Sequence, residues 1–271
     1  MSIKFLFLFS PNNSGSTIIG QYLETQTNGY LPPFGNNEGQ MAPGVRKIMR
    51  KDQWKADHDM PWPEIRDAWS DLARQAGKDL FIECSPPNIL RVTSILNSFG
   101  EEARCLFSIA SPYSFIASIL FNYNTPPLRP PMLARAAESW VLRAQALKEG
   151  SEAHPEFPRM RYEDFCEDPT IVNRALGLEV KARETIAGKG NDPLSEIMDL
   201  SPRHHAFLSF SEWEQVNAVL SKHESLMEFF GYSLIPGQLL IEKCAETPAM
   251  FHSGLIRRVQ WEQKQSRAKQ K

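Results

Sequence analysis

The 271-residue sequence predicts an α/β fold in which strands and helices alternate in the βαβ manner. Three observations carry that expectation. Short apolar runs bounded by Pro, Gly or Ser recur along the chain, and segments with apolar residues at helical spacing lie between them. No internal repeat or low-complexity stretch interrupts the alternation. A composition of 42% hydrophobic and 23% charged residues is that of a globular domain with a real core.

Taken in order, strands are expected at IKFLFLF from residue 3, DLFIECS near 79–85, ARCLFSIA near 103–110 and FPRMRYED near 157–164. Helices are expected at STIIGQYLETQ, WPEIRDAWSDLARQAG, PNILRVTSILNSFG, SFIASILFNY and MLARAAESWVLRAQALKEG, three of which end in Gly, a common helix stop. A last helix is expected near Ser211, where Glu214 three residues on completes a capping box. These elements place one domain over residues 1–250, with 251–271 as a basic C-terminal tail or helix. For its final residues a solvated tail is the preferred reading over a membrane-surface helix. Two Pro-rich stretches, GYLPPFGNNEGQMAPG and NYNTPPLRPPM, are candidate functional loops, the second more simply a connector.

Thirty Lys and Arg against 32 Asp and Glu give a net charge of -2, which points away from nucleic acid and towards a small partner. The four cysteines, Cys84, Cys105, Cys166 and Cys244, have no Cys-x-x-Cys spacing, so neither a zinc site nor a disulfide framework is expected. The N-terminal apolar run is too short for a signal peptide or a membrane span, and a cytoplasmic location is the expectation. Among the aromatics, Trp54, Trp62 and Trp69 are better explained as core packing than as pocket walls.

Chemistry concentrates in FLFLFSPNNSGSTIIGQYL, a strand, a small polar loop and a helix start. Such a loop offers backbone N–H groups, hydroxyls and the positive end of a helix dipole to one oxyanion, with Gly15 allowing close approach. A serine N-cap alone explains the residues equally well. A kinase or nucleoside triphosphatase needs a Lys in this loop, which is absent, and no GxGxxG occurs.

The loop resembles that of the sulfotransferases that use 3′-phosphoadenosine 5′-phosphosulfate (PAPS), usually Pro-Lys/Arg-Ser-Gly-Thr/Ser-Thr. Four further stretches are similar to that family in the same order: IECSPPNILR, FSIASPYSFIAS, MRYEDFCEDP and LSFSEWEQVNAVLSKHESLMEFFGY, so that the likeness runs from about residue 4 to 235. The resemblance implies a P-loop-type three-layer α/β/α sandwich with a central, mainly parallel sheet. It also implies transfer of a sulfuryl group from PAPS to a small-molecule or carbohydrate hydroxyl, with no metal, no nucleic acid and no membrane span. Nothing in the sequence fixes the acceptor or the oligomeric state.

Carried over by position, the resemblance implies that Asn12, Asn13, Ser14, Gly15, Ser16 and Thr17 bind the 5′-phosphosulfate, Ser118 the 3′-phosphate and Lys189 the same end of the nucleotide. Glu38 in GNNEGQ is the expected base, with His204 or His205 second, and Tyr162 matches a family tyrosine. The chain departs from the pattern at three cations. Asn13, Cys84 and Ala110 stand where the family has Lys or Arg, and Lys4 is the only basic residue before Arg46. Asn13 keeps two N–H donors and so belongs with the catalytic residues as an orienting group. Lys189, Arg203 and the Arg46–Lys51 cluster are candidate substitutes. A catalytically lapsed protein of the same fold, binding a ligand or partner, is the alternative.

Overall fold

The structure, a computed structural model, describes residues 2–56, 59–124, 126–181 and 197–268. By its own packing the chain divides into two compact units, Met1–Ile109 with Ala146–Met198 and Ala110–Gln145 with Asp199–Lys271.

The first unit holds a five-stranded sheet of order β2-β3-β1-β4-β5, built from β1 (Lys4–Phe9), β2 (Gly29–Tyr30), β3 (Leu80–Glu83), β4 (Ala103–Ile109) and β5 (Arg159–Arg161). Every pairing is parallel, with Phe7 opposite Glu83 on one side and Cys105 on the other. The helices of this unit are α1 (Ser16–Gln26), α2 (Arg46–Met49), α3 (Trp62–Gln75), α4 (Val92–Phe99), α7 (Tyr162–Glu167) and α8 (Thr170–Leu176). A parallel sheet needs cover on both faces, and strand alternation supplies two different apolar faces. Phe5, Phe7, Phe9, Phe81 and Phe107 point one way, towards Trp69 of α3 and Phe99 of α4, with Trp69 stacked on Phe81 at 5.1 Å and Phe99 edge-on to Phe7 at 5.0 Å. Leu6, Leu8, Ile82, Cys84 and Leu106 point the other way, into a cluster with Ile19 and Leu23 of α1, Phe165 of α7 and Val172 of α8. The three-layer sandwich thus follows from the residue parity of three strands. Trp62 and Trp69 are core, while Trp54 is 39% exposed.

The second unit is helical: α5 (Pro112–Tyr123), α9 (Ser201–His205), α10 (Phe210–Leu220), α11 (Glu224–Phe229), α12 (Leu239–Glu246) and α13 (Pro248–Ala268). Helix α6 (Pro130–Ala153) belongs to both units, dividing after Gln145. Tyr113 lies flat on Trp213 at 4.4 Å, and its hydroxyl accepts from the Ile235 amide and donates to Asn217. The C-terminal stretch differs from the solvated tail the sequence favoured. It is the helix α13, whose Trp261 is buried against Phe207 and whose Arg258 pairs with Glu212 and Glu262. Among the described residues no helix is long and apolar enough to cross a membrane.

Candidate functional site

The small polar loop leaves the carboxyl end of β1, the middle strand of the sheet, where open parallel sheets present their ligand sites. Asn13 and Gly15 both take left-handed backbone, with φ of 57 and 78, and flank Ser14. Alternation of backbone hand turns successive amides to one side and makes an anion-binding concavity. Helix α1 begins directly after Gly15, with no side-chain cap and no acidic residue in its first turn. Its leading N–H groups and dipole therefore meet no competing carboxylate from the helix itself. The Ser14 hydroxyl is buried and has no hydrogen-bond partner among the described residues. Tyr162, at the head of α7, packs its ring onto the loop: a Cβ on Gly15 would sit 2.0 Å from Tyr162 Cε2.

Glu38 lies in the first Pro-rich stretch, which is tied to the rest of its unit at two points. The Thr17 hydroxyl donates to the Asn36 carbonyl at 3.2 Å, joining the stretch to α1. Three residues further on, the Gly39 amide donates to Glu83 Oε2 at 2.8 Å and the Gly39 carbonyl accepts from Trp69 Nε1 at 3.2 Å. Between these ties the half-buried Glu38 carboxylate accepts from Gln40 Nε2 at 2.5 Å. The Gln40 amide is held in turn by the Ser85 hydroxyl at 3.0 Å.

Glu83 is the residue that sequence reasoning passed over. It is 1% exposed and accepts from Gly39, Ser85 and Asn88 Nδ2, all at 2.8 to 2.9 Å. Burial pushes its carboxyl up to about 7, against the pull of those hydrogen bonds and with a further push from Glu38. Its only sequence signal was its place in IECSPPN at the end of a strand. Next to it, Cys84 points to the opposite face and is sealed in the apolar cluster beneath α1, with a thiol raised well above its ordinary value by burial and then by Glu83 and Glu38. A free thiolate there is excluded at neutral pH.

In the second unit, Ser118 stands on α5 with its hydroxyl 3.4 Å from His204 Nε2. Burial, and then the charges of Arg257, Arg203 and His205, lower His204 to about 3, which leaves it little basicity at neutral pH. His205 packs edge-on to Tyr113 and Trp213. Ala110, which stands at a family cation position, is buried at 2% exposure. Lys189 lies outside the described residues. Among the described residues, no group of three or more His, Cys, Asp or Glu is placed to hold a metal ion.

No family model matches the chain, and no curated protein does. Among solved structures it is similar to the sulfotransferase domain from the curacin biosynthetic pathway, at 15% identity over 92% of this chain and 98% of that one, with a TM-score of 0.44.

Proposed function

We propose that this protein is a sulfotransferase that moves the sulfuryl group of PAPS to a hydroxyl of a small-molecule or carbohydrate acceptor, with Glu38 as general base. One observation carries the reading: a carboxylate stands on a stretch pinned to the same helix, α1, whose amino end offers uncapped N–H groups. In-line transfer of a charged tetrahedral group depends on such positioning and on fixed donors. Glu38 takes the acceptor proton as the acceptor oxygen bonds to sulfur. The bond from sulfur to the phosphate oxygen breaks, and the nucleotide leaves as 3′-phosphoadenosine 5′-phosphate (PAP) with that electron pair. The amides of Ser14 to Thr17 and the hydroxyls of Ser14 and Ser16 hold the sulfuryl oxygens, and Asn13 adds N–H donors without charge.

Titration calorimetry with PAP, followed by an acceptor screen with PAPS, tests the reading. Micromolar binding of PAP supports it, and no binding at millimolar nucleotide removes it. Glu38→Gln is expected to lower turnover by at least about a hundredfold, the usual share of a general base, while PAP affinity stays within about twofold. A Gln variant that turns over normally takes Glu38 out of the mechanism.

A second reading, a ligand-binding protein of the same fold without turnover, rests on Cys84 and Ala110. Both are buried side chains without charge at family cation positions. Tight PAP binding with no transfer to any acceptor class would favour it.

A further inference from the structure

Unit one holds a second group of side chains that neither the loop nor Glu38 uses, at the amino end of α4. There the Thr93 hydroxyl meets His154 Nε2 at 3.0 Å, across 61 residues of chain, in the segment that follows α6. On the other side of the imidazole, Glu156 Oε1 lies 3.5 Å from Nδ1. A carboxylate beside Nδ1 favours the proton on that nitrogen and leaves Nε2 to accept from the hydroxyl. A hydroxyl, a base and the group that orients the base therefore stand in sequence.

The surroundings of the hydroxyl suit an acyl group. Thr93, itself exposed, lines a cavity of about 280 Å³ whose walls include Ile89, Val92, Ala146 and Gly150. A Cβ on Gly150 would sit 2.8 Å from Val92 Cγ2, so a glycine lets α6 close on α4 here. The Ile95 amide donates to the Arg91 carbonyl at 2.9 Å, which leaves the Val92, Thr93 and Ser94 amides to lead the helix. No side-chain cap and no acidic residue of the first turn competes for them. Arg91 lines the same cavity at 3% exposure, and its Nε has no hydrogen-bond partner among the described residues, while Nη2 donates to the Gln53 carbonyl at 2.9 Å. Among the lining residues Arg91 is the one cation and Glu149 the one carboxylate, a balance that suits a neutral ligand.

We infer that Thr93, with His154 as general base and Glu156 as its positioning residue, is a nucleophile for acyl transfer from neutral esters with a short apolar acyl chain. Thr93 Oγ bonds to the ester carbonyl carbon while its proton passes to His154 Nε2. The carbonyl electron pair moves onto oxygen, where the leading amides of α4 meet it. As that pair returns, the bond to the alcohol oxygen breaks and the alcohol leaves with the proton from His154. Water then attacks the acyl-threonine, giving a proton to His154, and the carboxylic acid departs as threonine takes that proton back. These residues all lie in unit one, and the inference does not depend on sulfuryl transfer.

Release of nitrophenolate from p-nitrophenyl butyrate by the full chain reads the reaction, and labelling with a fluorophosphonate followed by peptide mass spectrometry reads the nucleophile. The wild type is expected to hydrolyse the ester faster than free imidazole at equal concentration and to carry the label on Thr93. Thr93→Val keeps the branched shape and should lose the label and at least about a hundredfold in kcat/KM, a loss that His154→Gln should share. Thr93→Ser should retain both label and rate. Glu156→Gln should lower kcat about tenfold at unchanged KM, the share of one charged interaction. Asn97→Ala, at an exposed position on α4, should match the wild type. A wild type no faster than free imidazole, or a label on another residue, overturns the inference. So does a Thr93→Val protein at the wild-type rate, which would mean that the imidazole hydrolyses the ester directly.

Discussion

Gly39 has no room for a methyl group, since a Cβ there would lie 2.0 Å from Glu83 Oε2. That carboxylate is fixed by three donors and cannot retreat without breaking hydrogen bonds in a buried place. Gly39→Ala should therefore destabilise the protein by about 1–3 kcal/mol, as overpacking does, and displace the neighbouring Glu38. The expected reading is a lowered Tm and a fall in turnover larger than any fall in PAP affinity. A variant as stable and active as wild type would mean that the clamp does not position Glu38. Asn13 poses the opposite question. Its φ of 57 suits Asn better than Lys, at a strain of about 1 kcal/mol, whereas a charged donor contributes about 1.5–3 kcal/mol to an anion. The charge wins, so Asn13→Lys should tighten PAP binding several-fold by calorimetry. Unchanged affinity would place the nucleotide away from this residue.

At the scale of elements, helix α10 shows how two local signals compete. At the start of this helix the sequence offers two Ser-x-x-Glu pairs, from Ser211 to Glu214 and from Ser209 to Glu212, and the expectation rested on the first. The second forms, with the Glu212 amide donating to Ser209 Oγ and the Ser209 amide to Glu212 Oε2. Tertiary structure supports this choice, because Glu212 also accepts from Arg258 of α13. Ser209→Ala should lower stability by about 1 kcal/mol in denaturant melts, and Ser211→Ala by far less. Equal effects would contradict the observed cap. The same contrast governs what the sequence made legible. Helix α1 runs over the residues expected, and β1, β3 and β4 fall within their apolar runs, because pattern and turn residues act locally. The two-residue β2 has no pattern to read, and β5 ends at Arg161 because Tyr162 turns into α7 beside the loop. The small polar loop between β1 and α1 was legible as one contiguous stretch. The Glu83 clamp joins residues 44 apart, and the Thr93 and His154 pair joins residues 61 apart, so neither leaves a local trace.

For the whole molecule, a buried carboxyl and a half-buried imidazole oppose each other in pH. Glu83 has a folded value of about 7 against an ordinary 4.5, so its contribution is fully favourable below about 4.5 and is lost as pH rises towards 7. His204 has a folded value of about 3 against 6.5, so its contribution is intact above 6.5 and is lost as pH falls towards 3. Each amounts to a few kcal/mol in order of magnitude. Glu83 sits in one unit and His204 in the other, and one joint unfolding transition is the reference case. In that case the two slopes cancel between about pH 4.5 and 6.5, and the wild-type Tm should be nearly flat there. Removing one group exposes the other. Glu83→Gln should gain stability with rising pH across this window, and His204→Gln should lose it. A lower starting Tm in either variant leaves the sign of the slope unchanged. Parallel pH profiles in the two variants would show that these groups do not titrate as their burial dictates, and two separate wild-type transitions of opposite slope would show that the units unfold independently.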